Sequence, residues 1–219
     1  MIHTVREKGL KRSYRLGLRE KSIVRNRAEI LNAARAVFSK VGFHGAGLEE
    51  VALLAGVSRK TVYYQFGSKM GLLEALVSEL ETSADLPARI QTIIERSGMS
   101  AVREYFAEIA RFWERNHEIL RALHGVAATD ADARKVLDRH DLARRKRLSS
   151  FIERLARREE LSEDWTPRLA VDLLWLLSSF ASFDQLVERS ALTVETAARV
   201  LAETSLVLLK PTYPAKKRS

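Results

Sequence analysis

Apolar residues recur every three or four positions along almost the whole chain, which is the spacing of one face of an α-helix. Alternation of apolar and polar residues at period two has no convincing length anywhere. The spacing predicts helices over about residues 26–40, 59–66, 70–81, 87–96, 100–116, 117–128, 130–160, 167–189 and 194–209, and a two-turn helix before the second of these. Gly98, Gly125, Pro167 and Thr193 mark boundaries between the later helices. The sequence therefore predicts an all-α protein, without internal repeats.

Residues 42–69, GFHGAGLEEVALLAGVSRKTVYYQFGSK, carry the most specific pattern. The two-turn helix is indicated by apolar residues at helical spacing, namely Leu48, Val51, Ala52 and Ala55. Gly47 can act as its N-cap, and Gly56 supplies a permissive backbone for a sharp turn. Ser58 is suited to cap the second helix. The stretch therefore predicts two short helices around a turn.

The second helix of this pair has an inner and an outer face. Val62 and Phe66 lie four residues apart and should face inward. The open end and outer face then hold cations, hydroxyls and aromatic rings and no carboxylate: Arg59, Lys60, Thr61, Tyr63 and Tyr64. Such a surface suits phosphates and base edges. With an upstream helix whose stripe is Ile30, Ala34, Val37, Phe38 and Val41, ending near Gly42, this predicts a helix-turn-helix DNA-binding unit.

Over this stretch the chain resembles the TetR/AcrR family of transcriptional regulators. The resemblance is carried by Gly42, Val51, Ala52, Ala55, Gly56, Val57, Ser58, Thr61, Val62, Tyr63, Phe66, Ser68, Lys69, Leu72 and Leu73. It is specific, because both identities and spacings agree over nearly thirty residues. It implies a DNA-binding domain over residues 24–84, with its motif over residues 47–66. A helical effector-binding and dimerisation domain over residues 85–209 would follow.

In this family the third helix enters the major groove. The implied DNA contacts fall on Gly47, Ser58, Arg59, Lys60, Thr61, Tyr63, Tyr64 and Lys69. Among them Tyr63 and Lys69 match positions that usually hold phosphates. Gly47 stands where the family usually has a threonine that caps the helix and contacts the DNA backbone, so we expect one weaker phosphate contact. Lys60 replaces a residue that is commonly small and adds a long cation able to reach a guanine or a phosphate.

The net charge of +9 is concentrated at the two ends of the chain. Residues 1–27 hold nine Lys or Arg and two Glu, and residues 210–219 hold four more cations, which leaves −2 for residues 28–209. A basic N-terminal arm over residues 1–23 is therefore predicted, with a basic tail over residues 210–219. The arm is either a disordered, solvated segment or a start-site artefact, or it follows the DNA backbone or enters the minor groove.

Several classes of function lack the residues they need. There is no cysteine, no pairing of carboxylates for acid-base chemistry and no nucleophile beside a base, so we predict no enzyme and no cofactor. Glu114, His117 and His124 are a weak metal signal, and hydrogen-bonded or solvated histidines are the favoured interpretation. The basic run over residues 144–147 is interpreted as the solvated face of a long helix.

The N-terminus is too charged for a signal peptide, and the longest uncharged run, residues 173–183, is too short to span a bilayer. We therefore expect a soluble, cytoplasmic protein with no membrane partner.

The last two helices predict an oligomer. One carries Leu169, Leu173, Leu176, Leu177 and Phe180, and the other carries Val194, Ala197, Ala198, Leu201, Ser205 and Leu208. Paired with a symmetry mate they would form a four-helix bundle. The alternative is that they complete the monomer core, which we favour for Leu173 and Leu177. The resemblance implies a homodimer through residues 167–189 and 194–209, and two heads would then bind a palindromic operator.

The resemblance also implies a pocket for an effector among the C-terminal helices. Its candidate lining is Phe106, Phe112, Trp113, Phe151, Trp175 and Phe180, with Phe183 beside them, although most of these aromatic residues are equally explained as ordinary core. The predicted function is a sequence-specific regulator that binds double-stranded DNA, with the family favouring a dimeric repressor released by a small apolar or amphipathic effector. The alternative is a protein of the same fold that answers to a protein partner or acts without a ligand.

Overall fold

The computed structural model describes residues 3–83, 85–96 and 98–209, with side chains from residue 22 onwards except at residue 83. The helices are α1 (His3–Gly45), α2 (Leu48–Leu54), α3 (Arg59–Phe66), α4 (Lys69–Ser83), α5 (Leu86–Glu95), α6 (Gly98–Arg115), α7 (His117–Ala127), α8 (Ala131–Arg157), α9 (Pro167–Leu177), α10 (Phe180–Asp184) and α11 (Val194–Ser205). A π-helical turn, Gln185–Arg189, continues α10, and a 3₁₀ turn, Leu206–Leu208, follows α11. Within the described ranges the extended pairing is one isolated bridge, Leu161 to Leu209. The predicted all-α fold is confirmed, whereas the predicted tail over residues 210–219 lies outside the described residues.

Helix α1 begins far earlier than its apolar stripe. The stripe predicted a start near residue 26, but the backbone is helical from His3. The predicted start is wrong because periodicity detects a buried face, and a helix does not need one to continue. Residues 3–25 contain many Arg, Lys, Leu and Glu and no proline, which is a composition that favours helix.

The far end of α1 bends at Gly42, whose φ of 72° and ψ of 168° lie outside the helical region. Val41, predicted on the buried stripe, is 43% exposed, while the other four members of that stripe are buried. Phe43 is buried instead and stacks edge-on against Phe38, with ring centroids 5.5 Å apart. The bend therefore buries Phe43 in the core in place of the expected Val41.

Helices α1 to α4 form the N-terminal head. Helix α1 packs on α2 and α4, and α2 packs on α3. The predicted stripe of α4 is buried throughout: Leu72, Leu73, Leu76, Val77 and Leu80. These side chains meet Ile30 and Phe38 of α1 and Val51 and Val62 of the two short helices in one hydrophobic core. That core fixes the orientation of α3 on the outside of the head.

The head contacts the rest of the molecule, the body, along two lines. Helix α1 packs against α7, where Arg35 Nη2 donates to the side-chain oxygen of the buried Asn116 at 3.2 Å. Helix α4 packs against α8, where Glu74 pairs with Arg139 and Glu81 Oε1 lies 3.3 Å from His140 Nδ1. Polar contacts thus connect the head to the body on both sides.

The body consists of α5 to α11. Helix α6 packs along α11, and α8 packs along α9, around a core that includes Tyr105, Phe106, Leu123, Phe151 and Leu155. No single helix of the described ranges is long and apolar enough to cross a membrane. The segments Pro167–Leu177 and Phe180–Arg189 meet that length and composition only when taken together, and they are bent by 48°.

The predicted helix over residues 167–189 is interrupted. Helix α9 ends at Leu177, and α10 begins at Phe180 with Ser179 as its N-cap. Trp113 Nε1 donates to the carbonyl of Ser178 at 3.3 Å. Arg144 Nη1 donates to the carbonyl of Trp175 at 3.0 Å and to Ser178 Oγ at 2.7 Å. The break escaped prediction because its unpaired carbonyls are satisfied by side chains of other helices.

Arg144 was also assigned to the wrong surface. The basic run over residues 144–147 was interpreted as a solvated face, but Arg144 is only 7% exposed. Its Nη2 donates to Asp141 Oδ1 at 2.9 Å, and its guanidinium lies 5.6 Å from the centre of a Trp175 ring system. The neighbouring Lys146 is exposed as expected. One cation of the run is therefore a buried part of the body.

Candidate DNA-binding interface

The turn between α2 and α3 forms as its residues predict. Gly47 occupies the N-cap of α2 with φ −94° and ψ 142° and makes no side-chain bond. Gly56 has a φ of 65°, a conformation that glycine adopts at little cost. Ser58 Oγ accepts from the backbone nitrogen of Thr61 at 3.1 Å and lies 2.8 Å from Thr61 Oγ1. Both predicted caps and the predicted bounds of α3 are confirmed.

Helix α3 has the two faces that its spacing predicts. Val62 and Phe66 are buried in the head. Lys60 is exposed, and Tyr64 projects with 79% of its surface accessible. Neither of these two side chains has a hydrogen-bonding partner among the residues that the structure describes. They are therefore free to meet a ligand in front of the helix.

Arg59 is not free, and its partner was missed. Glu49, in the first turn of α2, forms an ion pair with the Arg59 guanidinium. Arg59 Nη2 also donates to Tyr63 Oη at 3.2 Å, and the guanidinium lies 5.2 Å from the Tyr63 ring centre. The hydrogen bond to Tyr63, followed by the charge of Glu49, raises the pKa of Arg59. The outer face of α3, which was predicted to lack a carboxylate, thus lies beside the carboxylate of Glu49.

The ion pair between Glu49 and Arg59 could have been predicted from the opposite charges at the starts of α2 and α3. The motif places the first turns of the two helices side by side, ten positions apart in the chain. Considering α3 alone hid the contact, because Glu49 belongs to the neighbouring helix.

Lys69 lies at the start of α4, beside the α1 bend. Its Nζ donates to the carbonyl of His44 at 3.3 Å and lies 4.7 Å from the Phe43 ring centre. Partial burial lowers the pKa of Lys69. Ser68 Oγ accepts from the backbone nitrogen of Gly71 at 2.9 Å, which caps this end of the helix. A side chain at Gly71 would collide with the carbonyl oxygen of Phe66, so glycine is required there.

Arg27 extends the cationic surface toward the N-terminus. Its guanidinium lies 4.7 Å from the ring centre of Phe66, the last residue of α3. The basic segment before Arg27 continues α1 without a break in the backbone. The concentration of positive charge in residues 1–27 is therefore joined by helix to the region around α3.

The candidate pocket aromatics are brought together but enclose little space. Phe106, Phe112, Phe151 and Phe180 are buried, and Phe183 with them, while Trp113 and Trp175 are partly buried against the core. Two cavities of about 20 and 50 Å³ are lined in part by Phe112, Trp113 and Arg144. Ligand pockets for small molecules commonly measure about 300–1,000 Å³. In this conformation these aromatic residues therefore act mainly as core.

The histidines of the weak metal signal make other contacts. His117 Nε2 lies 2.8 Å from Asp184 Oδ1, and the ring of His124 stacks on Phe180 with centroids 5.0 Å apart. Arg121 also contacts Asp184, with a nitrogen–oxygen distance of 3.5 Å. Across the residues that the structure describes, no group of three or more potential ligands is arranged to hold a metal ion.

The last helices present apolar residues outward, and two of these, Leu169 and Leu176, belong to the predicted set, whereas the predicted stripe of α11 is not exposed. The predicted stripe of α11, which includes Ala197, Leu201 and Ser205, is buried within the chain, mainly along α6. This correction arises because the small residues allow close approach to α6 instead of to a symmetry mate. The exposed apolar residues are Leu169, Leu176, Val200 and Val207. Leu173 and Leu177 pack against the body core, as favoured from the sequence.

Comparison with known protein sequences finds relatives that align mainly with the head. Residues 30–76 match a family model described as bacterial regulatory proteins, tetR family. The HTH-type transcriptional regulator RutR of Escherichia coli K12 is 41% identical over 64 residues, which are 29% of this chain and 30% of RutR. The HTH-type transcriptional repressor NicS of Pseudomonas putida is 32% identical over 107 residues, covering 49% of this chain and 50% of NicS. The aligned part spans half or less of these curated relatives.

Comparison with solved structures shows that the body also resembles known proteins in fold. NalD, the secondary repressor of the MexAB-OprM multidrug efflux pump in Pseudomonas aeruginosa, superposes with a TM-score of 0.68 over 89% of this chain and 100% of NalD, at 24% identity. Fold and interface together define a helix-turn-helix protein with a helical body. The head matches the tetR family of bacterial regulatory proteins, and most of the chain shares its fold with NalD. These relatives regulate transcription, which agrees with the expectation that the chain is not an enzyme.

Proposed function

We propose that the chain is a sequence-specific transcriptional regulator, a dimeric repressor that leaves a palindromic operator when a small apolar or amphipathic effector binds the body. The observation that carries the proposal is the outer face of α3. There Lys60 and Tyr64 project unpaired from a helix whose inner face is locked in the head core. Cations and aromatic hydroxyls on such a helix suit the acceptor-rich major groove.

The side chains around α3 divide into two roles. Arg59, Lys60, Thr61 and Tyr64 are proposed to contact base edges or nearby phosphates. The remaining contacts, from Gly47, Ser58, Tyr63 and Lys69, are proposed to hold the DNA backbone. Contacts of the first kind give sequence preference, whereas those of the second kind fix the register of the protein on the duplex.

Dimerisation is proposed through the outer sides of α9 and α11. The exposed Leu169, Leu176, Val200 and Val207 supply the apolar surface that a twofold interface needs. Two heads held in this way would match two half-sites. Sedimentation should detect a dimer at micromolar concentration, and Leu176→Glu should shift it toward monomer. A stable wild-type monomer would remove this part of the proposal.

Release by an effector that binds at the candidate aromatic residues requires the body to open there, because the cavities near Trp113 hold only about 20 and 50 Å³. An effector changes DNA binding only through different affinities for states with competent and incompetent head spacing. The polar contacts of Arg35, Glu74 and Glu81 with the body are proposed to couple effector binding in the body to the spacing of the heads.

The small cavities equally favour the second candidate, control by a protein partner or without a ligand. A thermal-shift screen of apolar and amphipathic compounds distinguishes the two, since an effector must stabilise the protein that it binds.

The DNA-binding proposal is tested by gel-shift titration on the DNA flanking the gene for this protein. Lys60→Ala and Tyr64→Ala should relax or abolish specific binding, whereas Lys69→Ala should weaken binding to all sequences alike. Equal losses on specific and random DNA from all three variants would contradict the assigned roles.

The basic N-terminal segment is proposed to contact DNA phosphates beside the recognition helix. Removing residues 1–21 should weaken DNA binding and flatten the dependence of log Kd on log salt, because fewer counterions are released. An unchanged slope would contradict the contact.

A further inference from the structure

Glu49, Arg59 and Tyr63 form one cluster at the front of the head. The Glu49 carboxylate pairs with the Arg59 guanidinium, which also donates to Tyr63 Oη at 3.2 Å and lies against the Tyr63 ring. The side chains of Glu49 and Arg59 are 64% and 54% exposed. The cluster therefore stands on the surface that the proposed function turns toward DNA, and it includes a negative charge.

The position of Glu49 is fixed by its own helix as well as by Arg59. It lies in the first turn of α2, where the partial positive charge of the helix N-terminus stabilises a carboxylate. Glu50 follows in the same turn and is exposed, but among the described residues it has no ion-pair partner. Of these two neighbouring carboxylates, only Glu49 contacts Arg59.

A carboxylate beside an arginine changes what that arginine can bind. A guanidinium has five N–H donors, so the contacts with Glu49 and Tyr63 leave donors available. A phosphate that reaches those donors also approaches the Glu49 carboxylate and is repelled by it. The O6 and N7 atoms of guanine accept the same bonds without a net charge. The pair therefore favours a neutral base edge over the DNA backbone.

We propose that Glu49 is a specificity-determining residue of the DNA interface, which positions Arg59 for a base edge and repels phosphates from it. This inference rests on the proposed DNA-binding function. Glu49 lowers the affinity for random DNA and raises the preference for the operator. It acts through Arg59 and is itself a positioning residue.

The test compares Glu49→Gln with Glu50→Gln. Each variant removes one negative charge from the same helical turn, but only the first removes the partner of Arg59. The probes are an operator selected by the wild-type protein from a randomised duplex pool and a scrambled duplex of equal length and composition. Binding is followed by fluorescence anisotropy over a range of salt concentrations, and circular-dichroism melting shows that each variant is folded.

Glu49→Gln should bind scrambled DNA more tightly, with a salt slope steeper by about 0.9, since one more phosphate is neutralised. The ratio of operator to scrambled affinity should fall by about fivefold or more, the range of one lost base contact. Glu50→Gln should change both the salt slope and the affinity ratio less than Glu49→Gln does. In an Arg59→Ala background, Glu49→Gln should have no further effect on the ratio.

Three results would overturn the inference in distinguishable ways. If the wild-type protein selects no operator, the proposed function fails and the inference fails with it. If it selects one but Glu49→Gln behaves as Glu50→Gln does, only the inference fails. If Glu49→Gln loses operator affinity without binding scrambled DNA more tightly, Glu49 contacts a base directly and does not act through Arg59.

Discussion

Two helix breaks in this molecule look alike and are built differently. Between α2 and α3 the chain turns at Gly56, with a φ of 65°, and resumes behind the cap of Ser58. Between α9 and α10 it turns at Ser178 and resumes behind Ser179, whose Oγ accepts from the backbone nitrogen of Ser182 at 3.1 Å. Both breaks therefore end in a serine cap, but the second has no glycine.

The difference lies in what stabilises the backbone that each break leaves unpaired. The first break is specified by residues within a few positions of the turn. In the second, Trp113 and Arg144 bind the carbonyls of Ser178 and Trp175 from helices 65 and 31 residues away in the chain. The contacts of the first break lie within its own sequence, whereas the second break adds contacts from other helices of the packed body. The turn of the head is thus set mainly by nearby residues, and the body derives part of its geometry from tertiary contacts.

Of the substitutions that test this difference, removing Arg144 should have the largest effect on stability. Arg144→Met keeps much of the side-chain volume but removes the donor to Ser178 Oγ and leaves the Trp175 carbonyl with only the longer contact from Ser178 Oγ, at 3.4 Å. We expect the free energy of unfolding to fall by about 3 kcal/mol, since each buried group left unpaired costs about 1–3 kcal/mol. Urea unfolding followed by circular dichroism measures the loss. Lys146→Met, at an exposed position on the same helix, should change the stability by no more than about 0.5 kcal/mol.

Equal stabilities of the Arg144→Met and Lys146→Met proteins would show that the second break is as local as the first. Hydrogen exchange at residues 178–182 supplies an independent measurement. Exchange there should accelerate in Arg144→Met if the arginine holds the break, and it should stay at the wild-type rate if the serine cap suffices.

The same distinction explains which features the sequence could predict. The bounds of α3, its caps and its buried Val62 and Phe66 followed from spacing and turn chemistry, which involve near neighbours. The burial of Arg144 and the end of α9 at Leu177 did not, because apolar spacing continues through the break and the partners lie on other helices. Glu49 was missed for the same reason, since its contact with Arg59 joins two elements.

The proposed effector pocket illustrates another limit. Aromatic residues at helical spacing fit a closed core and a ligand cavity equally well, and only packing separates them. Phe106 and Phe151 are buried in the body core, while the cavities beside Trp113 are small. The sequence identified the aromatic residues of the body interior but carried no information about the space between them.

Replacing Gly56 by alanine should have an intermediate effect on stability. Its positive φ places a Cβ in a conformation that costs an L-residue about 1–2 kcal/mol, although no atom lies within 4 Å of the added carbon. Thermal unfolding of Gly56→Ala should show that loss. Gly125→Ala, inside α7 and equally uncrowded, should instead leave stability unchanged or raise it by up to about 1 kcal/mol. Destabilisation of both variants by the same amount would mean that the turn conformation is not the cause.

The smallest effects come from the two serine caps, and they compare the breaks most directly. Ser58→Ala and Ser179→Ala each remove a side-chain acceptor for the first turn of a helix, so each should cost about 1 kcal/mol of stability. If caps were the whole explanation of both breaks, the two variants would be equivalent in every assay.

They should instead differ in DNA binding. Ser58 Oγ contacts Thr61 through both its backbone nitrogen and its hydroxyl, so its loss loosens the turn that carries Arg59, Lys60 and Thr61. Ser179→Ala leaves that turn intact. Fluorescence anisotropy should therefore show weaker operator binding for Ser58→Ala and wild-type binding for Ser179→Ala at equal stability. Weakened binding by both would mean that the body break controls the head, and that its geometry is less local than its residues indicate.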